Sequence, residues 1–260
     1  MISVLIPTVS TSSLLHKCLK SLKEAEDTLK SKLDVLILDS GGAPDMAVLQ
    51  SGLKAPRIAD VERWWSFSKI INEGIKLASG DVICVLHDDC MVSPNIFASA
   101  HKLKRDEIEG AITTYHDNTI EQAGITIGQY DNTPRYRALG IHKGSYPETD
   151  KVPVLGIPFI CGVAHRKLFE KLDGFDEGFH WSMESLDFCL RAWESGASVK
   201  INPDSVCEHA GGASRLYLHR YSPFTSDKEN TARFEQRWLI GDKLSKVREL
   251  INGHRPKNRT

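Results

Sequence analysis

Short apolar runs alternate with segments of helical periodicity through the first half of the chain. Ile2 to Ile6 and Val35 to Leu38 have the length of strands, and Leu15, Cys18 and Leu22 recur between them at helical spacing. Parallel strands need such helices between them, because the chain must return to the start of the sheet before the next strand begins. The alternation therefore predicts an α/β fold.

Two further segments extend this pattern. Arg57 to Asp60 predicts a short third strand. A helix is predicted after it from apolar residues on one face, which are Phe67, Ile70, Ile71, Gly74 and Ala78. We expect this helix to end at Gly80 in a left-handed C-cap. Lys69 and Asn72 lie off the apolar face, and we expect them to face the ligand crevice and contact a nucleotide.

The fourth apolar run, Val82 to Leu86, leads directly into His87, Asp88 and Asp89. Two carboxylates at the end of a buried strand cost free energy unless a positive group binds them. Ligands of open α/β sheets bind outside the carboxyl ends of the strands, so the pair predicts a site for a cation and a phosphorylated ligand. In the alternative interpretation, one carboxylate caps the following helix, which Pro94 opens.

Composition excludes several classes of protein. The 260 residues are 41% apolar with a net charge of −1, so the chain can fill a core and has no global field that attracts nucleic acid or anionic membranes. Six cysteines without a C-x-x-C pair, and the absence of an apolar stretch near membrane-span length, lead us to expect a cytoplasmic protein. The glycine signatures of dehydrogenases and P-loop proteins are missing.

The second half begins with a polar stretch, residues 116–150, that predicts hairpins or a mobile flap. A later helix buries Leu186, Cys189, Leu190 and Trp193. Its opposite, polar face consists of Glu184, Asp187, Arg191 and Glu194. A C-terminal helix follows, and we expect a break near Gly241.

Taken in order, the motifs resemble glycosyltransferase family 2, and rhamnosyltransferase-like members in particular. The motifs are Ile2-Ser3-Val4-Leu5-Ile6-Pro7-Thr8, Leu36-Ile37-Leu38-Asp39, Asn72-Glu73-Gly74, Leu86-His87-Asp88-Asp89, Gly174-Phe175-Asp176-Glu177 and His209-Ala210-Gly211-Gly212. The resemblance implies a GT-A fold, which is a Rossmann-like, mostly parallel mixed sheet flanked by helices, with a C-terminal helix. It implies a nucleotide-sugar-binding half in residues 1–115, an acceptor-binding half in 116–223, and a helical extension with a basic tail in 224–260.

The resemblance also implies roles for individual residues. Nucleotide contacts are implied for Pro7, Thr8, Asp39 and Asp88. Asp89 and His209 stand where such proteins hold Mn²⁺ or Mg²⁺, which suits carboxylate oxygens, one imidazole and a diphosphate. The alternatives are a turn cap for Asp39 and a hydrogen bond to a backbone carbonyl for His209.

The general base is where the sequence departs from the family. Relatives carry an acidic pair at the start of the late helix, whereas this chain has Glu184 and Ser185. Glu184 and Asp187 are the candidate catalytic residues, and Glu184 is favoured because Arg191 lies at i+4 from Asp187 and suits an ion pair with it. Alternatively, Glu184 only complements the positive end of the helix. Trp181 is the predicted acceptor contact, through stacking on a sugar ring.

These implications amount to a hexosyltransferase-type enzyme that moves a sugar from a UDP-, dTDP- or GDP-linked donor to a saccharide or other hydroxyl acceptor, with inversion. A retaining transferase, a non-catalytic nucleotide-sugar-binding module and a nucleic-acid-modifying protein are the alternatives. The basic tail, with Arg255, Lys257 and Arg259, is solvated by default and is otherwise expected to make transient contact with a membrane or nucleic acid.

Overall fold

The computed structural model describes residues 1–9, 13–29, 31–41, 48, 50–130, 133–138, 151–180, 182–211 and 227–254. Its strands are β1 (Ile2–Thr8), β2 (Asp34–Asp39), β3 (Arg57–Asp60), β4 (Val82–Leu86), β5 (Cys90–Val92), β6 (Glu107–Thr114), β7 (Ile120–Gln122), β8 (Ile125–Tyr130), β9 (Thr133–Ala138), β10 (Val152–Pro153), β11 (Cys161–His165) and β12 (Ser198–His209). Its helices are α1 (Ser13–Leu29), α2 (Phe67–Leu77), α3 (Arg166–Lys171), α4 (Glu184–Glu194), α5 (Asp227–Trp238) and α6 (Lys243–His254), with a 3₁₀ turn at Ala100–Lys102.

The main sheet is mixed, in the order β10-β12-β6-β11-β4-β1-β2-β3, and β5 and β7 pair with β12 and β6. β4, β1, β2 and β3 are parallel, as the alternating sequence pattern predicts. β11 is antiparallel to both β4 and β6, and it joins this parallel half to the β6–β12 pair. The carboxyl ends of β1, β2 and β4 therefore meet at one edge of the sheet.

The end of α2 differs from the prediction. The helix ends at Leu77, and the residue after it, Ala78, has extended backbone angles (φ −66°, ψ 150°). Gly80 does not have a positive φ, so it is not a left-handed C-cap. A Cβ at Gly80 would lie 2.6 Å from the Met1 carbonyl oxygen and 2.7 Å from the Ser3 amide nitrogen. Glycine is needed there because the chain passes directly against β1.

Two apolar cores cover the faces of the sheet. One packs α2, α4 and the C-terminal helices, and the other packs α1. Five cysteines from five different elements belong to the α1 core, and these are Cys18, Cys84, Cys90, Cys161 and Cys207. The sixth, Cys189, lies in the other core, and all six thiols are buried and unpaired. These reduced cysteines therefore serve as small apolar residues in the two cores.

The polar face of α4 is also different from the expectation. Asp187 is fully buried, and Glu184 is 9% exposed. The cause is α5, whose Arg237 and Trp238 side chains both donate to Asp187. The predicted break near Gly241 is confirmed, because that residue separates α5 from α6 with a φ of +86°.

The polar stretch contains the predicted hairpin, since β8 pairs with β9 in antiparallel register. Residues 139–150 and the tail beyond 254 lie outside the described residues, as does the 212–226 segment. Within the described part of the chain, no helix has both the length and the apolar character needed to cross a membrane.

Candidate active site

A cluster of three possible metal ligands forms where β4 ends. His87, Asp89 and His209 each offer one ligand atom, and these atoms all lie within 4.8 Å of one another. The His87 N–H donates to the Ile160 carbonyl oxygen at 2.9 Å, which fixes the first residue after the strand. Two imidazoles and a carboxylate are a donor set that a divalent transition metal ion accepts.

His209 reaches this cluster from the end of β12. β12 pairs with β5 so that His209 lies opposite Cys90, and the Ala210 N–H donates to the Asp89 carbonyl oxygen at 3.0 Å. The His209 Nε2 is 3.2 Å from Asp89 Oδ1, and its Nδ1 is 2.8 Å from a carboxylate oxygen of Glu121. The ring is thus held between two acids, with Nε2 turned toward the cluster.

The charges of the cluster follow from these contacts. Burial alone would lower the pKa of His209, but its hydrogen bonds to Asp89 and Glu121 outweigh this effect and raise the pKa to about 10. Burial also opposes ionisation of Asp89, yet the hydrogen bond to His209 holds the pKa of that carboxyl below its usual range. Burial and the neighbouring His209 lower the pKa of His87 to about 4, so His87 is a neutral imidazole at neutral pH.

The residues predicted to contact the nucleotide converge beside this cluster. Thr8 and Asp39 are paired in the β1–β2 register, and Pro7 pairs with Leu38. The Thr8 hydroxyl donates to Asp88 Oδ2 at 2.7 Å. Pro7, Thr8, Asp39 and Asp88 therefore line one edge, where the carboxyl ends of β1, β2 and β4 meet.

Glu184, the first residue of α4, supplies a carboxylate close to the same edge. Its Oε1 is 3.3 Å from the Ser185 hydroxyl, whereas its Oε2 is buried and has no hydrogen-bond partner among the described residues. Ser185 Oγ also accepts from the Phe159 N–H at 3.4 Å, and Ile160, the next residue, holds His87. The start of α4 is therefore linked to the cluster of possible metal ligands through Phe159 and Ile160, which are consecutive in sequence.

Burial raises the pKa of Glu184 to about 6, against hydrogen bonds from its own and the Ser185 backbone amides and from the Ser185 hydroxyl. A carboxylate with this pKa is largely ionised at neutral pH and is still basic enough to accept a proton. An unpartnered buried oxygen also carries a desolvation cost, which a hydroxyl that donates to it would relieve.

The family is settled by the sequence. A sequence model described as Glycosyl transferase family 2 matches residues 3–171, well over half of the chain. The chain belongs to glycosyl transferase family 2. This membership confirms the resemblance of its motifs, and the matched region contains Thr8, Asp39 and the Asp88–Asp89 pair of the family 2 domain.

A curated relative of this family 2 chain is the O-antigen biosynthesis protein RfbC of Myxococcus xanthus. The two are 24% identical over 225 residues, which is 82% of this chain and 18% of that protein. The chain thus spans about a fifth of the length of this relative.

Solved structures share the fold. The crystal structure of GalNAc-T7 with UDP, GalNAc and Mn²⁺ has a TM-score of 0.70 at 16% identity and covers 97% of this chain and 55% of that one. S. aureus TarS 1-349 with UDP-GlcNAc gives 0.61 at 16% identity, with 97% and 72% covered. The mannosyltransferase PcManGT of Pyrobaculum calidifontis, with GDP-Man and Mn²⁺, gives 0.56 at 15%, with 95% and 64% covered. The family 2 chain has the GT-A fold.

The carboxylate of Asp187 is held by ion pairs and hydrogen bonds in this family 2 domain. Its Oδ2 accepts from Arg191 at 2.8 Å, which confirms the predicted i, i+4 ion pair. Its Oδ1 accepts from Arg237 at 2.7 Å and from the Trp238 indole at 2.9 Å. Both oxygens of this buried carboxylate are therefore occupied, and Glu184 is left as the candidate base.

Three other residues were predicted to belong to the site, and these are Asn72, Lys69 and Trp181. Asn72 was expected to face the crevice, but its amide bonds the backbone N–H and C=O of Phe175 and the Glu177 carboxylate, so it holds that loop against α2. Lys69 Nζ lies 4.2 Å from the centroid of the Trp65 ring, and its nucleotide contact stays a prediction. Trp181 lies outside the described residues.

Sequence reasoning missed one member of the cluster, His87, and one residue that contacts it, Glu121. His87 is adjacent to the acidic pair, and its place directly after a buried strand was the available signal. Glu121 contacts His209 across 88 residues of sequence. Because β7 brings it there by pairing with β6, no local pattern could have revealed this contact.

Proposed function

We propose that this chain transfers a sugar from a nucleoside-diphosphate donor to a hydroxyl acceptor. The observation that carries the proposal is the convergence of a His-Asp-His cluster and a buried carboxylate, one oxygen of which has no partner among the described residues, at the edge formed by Thr8, Asp39 and Asp88. Family membership supports the same reaction class. The donors named for the related structures, UDP-GlcNAc and GDP-Man, support a nucleotide-linked sugar here.

The residues present fit a divalent cation. His87, Asp89 and His209 would hold it, and their ligand atoms already converge within 4.8 Å. Two imidazoles favour Mn²⁺ over Mg²⁺, which prefers an all-oxygen environment. When bound, the cation supplies positive charge that offsets the negative charge of the departing diphosphate.

The protein's own groups orient the reactants. The Thr8–Asp88 hydrogen bond holds a buried carboxylate toward the nucleotide, and Asp39 lies beside it on the adjacent strand. The hydroxyl oxygen of the acceptor would attack the anomeric carbon on the face opposite the diphosphate. Glu184 Oε2 would accept the proton of that hydroxyl. This arrangement inverts the anomeric configuration. A product with retained configuration would instead favour the retaining alternative.

The state of the thiols supports a cytoplasmic location. All six cysteines are unpaired, and several lie close enough to interact, as the hydrogen bonds that link Cys161 to Cys84 and Cys207 indicate. Thiols persist in this state where the surroundings are reducing. We infer that the chain works in the cytoplasm.

The proposed function predicts that nucleotide binding depends on the cation. UDP, dTDP or GDP at about 100 times its Kd should stabilise the protein by about 2.7 kcal/mol in Mn²⁺, and far less in chelator, because clustered carboxylates and a diphosphate repel each other. Thermal denaturation with each nucleotide, with Mn²⁺ or with EDTA, measures this difference. Asp89→Asn should abolish it, and equal stabilisation in EDTA would contradict the metal assignment.

Glu121 is expected to orient His209 through Nδ1, since a metal-binding histidine usually donates its second N–H to an acceptor. Glu121→Gln should weaken Mn²⁺ binding about 10- to 100-fold, as measured by titration calorimetry or Mn²⁺ electron paramagnetic resonance. Glu208→Gln is the matched control, because Glu208 precedes His209 and, within the described part of the chain, its carboxylate pairs with the exposed imidazole of His116. Unchanged Mn²⁺ affinity in Glu121→Gln would refute this role.

A further inference from the structure

We propose that Asn230 of α5 is a positioning residue for the candidate base, because it fixes the short segment from which Glu184 projects. The inference rests on the proposed role of Glu184. It gives α5, which lies outside the region matched by the family model, a part in the reaction. Asn230 is placed 46 residues beyond Glu184 in sequence (230 − 184), so only the fold brings the two regions together.

The side-chain amide of Asn230 forms hydrogen bonds with His180 and Ser182, just before α4. Its Oδ1 accepts from the His180 N–H at 3.0 Å, and its Nδ2 donates to the His180 carbonyl oxygen at 2.5 Å. Nδ2 also donates to the Ser182 hydroxyl at 2.9 Å. Asn230 is only 2% exposed, so water does not substitute for these bonds. One amide therefore holds both backbone polar groups of one residue, His180, and the side chain two residues later.

This segment needs external support because the start of α4 is poorly capped. Met183, the N-cap, has a left-handed φ of 69° and makes no side-chain capping hydrogen bond. A residue with a Cβ adopts that conformation only when its surroundings enforce it. Glu184 follows immediately, so any relaxation of Met183 would turn its carboxylate away from its present direction.

α5 itself is anchored by other contacts. Arg233 and Arg237 both pair with Asp176 at 2.8 Å, and Arg237 also pairs with Asp187. Removal of the Asn230 amide should therefore leave α5 in place while His180 and Ser182 lose the hydrogen bonds that Asn230 provides. The two kinds of contact can be separated by mutation.

The test compares Asn230→Ala with Arg233→Ala. In Asn230→Ala we expect kcat to fall roughly 10- to 100-fold, since a misplacement of about 1 Å at the reacting groups costs up to this much. The KM for the donor should stay near the wild-type value, and the acid limb of the pH–kcat profile should move as the environment of Glu184 changes. Arg233→Ala removes an α5 anchor and leaves the Asn230 hydrogen bonds to His180 and Ser182 in place, so it should retain kcat and the profile.

Asn230→Asp provides a second measurement, because it keeps the acceptor for the His180 N–H and loses both donated bonds. Its kcat should lie between those of the wild type and Asn230→Ala. A wild-type kcat and profile in a folded Asn230→Ala protein would overturn the proposal, as would an equal loss in Arg233→Ala. If Glu184→Gln were fully active, the proposed base would fail instead, so the two failures are distinguishable.

Discussion

Glu184→Gln is expected to lower kcat by roughly 10²- to 10⁴-fold, because general-base assistance acts in the transition state and glutamine cannot accept the proton. Donor affinity should hardly change, since the substitution preserves the shape of the side chain and the proposed nucleotide contacts are those of Thr8, Asp39 and Asp88. Steady-state kinetics with a measured donor Kd separate these two effects.

The pH dependence provides two further readouts. The base must be ionised, so kcat should fall as the pH drops through about 6, the pKa of Glu184 in the folded chain. That pKa is above the ordinary value of 4.5, so the folded chain binds the proton more tightly than the unfolded chain does. The protonated carboxyl therefore stabilises the folded state below pH 4.5, and this contribution is lost as the pH rises through 6. At pH 8 Glu184→Gln should therefore be more stable than the wild type, by about 2 kcal/mol at most.

Two controls sharpen the result. Glu194→Gln changes an exposed acid at the other end of the same helix and should leave kcat unchanged. Ser185→Asp in the Glu184→Gln background places a carboxylate at the second position of the acidic pair that the family resemblance implies, and it should restore part of the activity if the acceptor binds there. Full activity in Glu184→Gln alone would refute the inverting mechanism through α4.

Asp187→Asn should instead act on stability, lowering the free energy of unfolding by about 3 kcal/mol. The substitution leaves Arg191 and Arg237 without their common counter-ion, and loss of one partner of a buried ion pair costs about 3–5 kcal/mol. The lower end applies because the two arginine side chains are 20% and 32% exposed, so water partly replaces the lost partner.

Denaturant unfolding at pH 7 measures this change. Asp242→Asn is the matched control, since that carboxylate forms an i, i+4 ion pair with Lys246 on the surface and its loss should not be measurable. At a temperature where both proteins are folded, Asp187→Asn should keep most of its kcat. A stable but inactive Asp187→Asn protein would return Asp187 to the catalytic candidates.

The sequence predicted those parts of the molecule that depend on short-range patterns. Strands β1 to β4 follow from apolar runs bounded by polar residues, and the predicted third strand coincides with β3. The acidic pair was informative because carboxylates directly after a buried run have few uses other than binding or capping. Periodicity also identified the buried face of α4.

The features of the fold and the site that the sequence did not predict depend on partners that are distant in sequence. Asp187 was placed on a polar face because its neighbours on α4 are polar, yet its burial is due to Arg237 and Trp238, about 50 residues later. Likewise, the sequence did not reveal that the Asn72 amide bonds Phe175, 103 residues away, and its nucleotide contact stays a prediction. No helical pattern reveals which polar face another helix will cover.

The unpaired thiols have a consequence for how long the folded chain survives. The native protein exposes none of its cysteines, whereas an unfolded chain offers six to any oxidant or alkylating reagent. A modified cysteine is larger than its site in the packed core, so a chain that reacts while open cannot close again. Under oxidising conditions each unfolding event then becomes irreversible. The lifetime of the folded protein is set by its rate of unfolding rather than by its equilibrium stability.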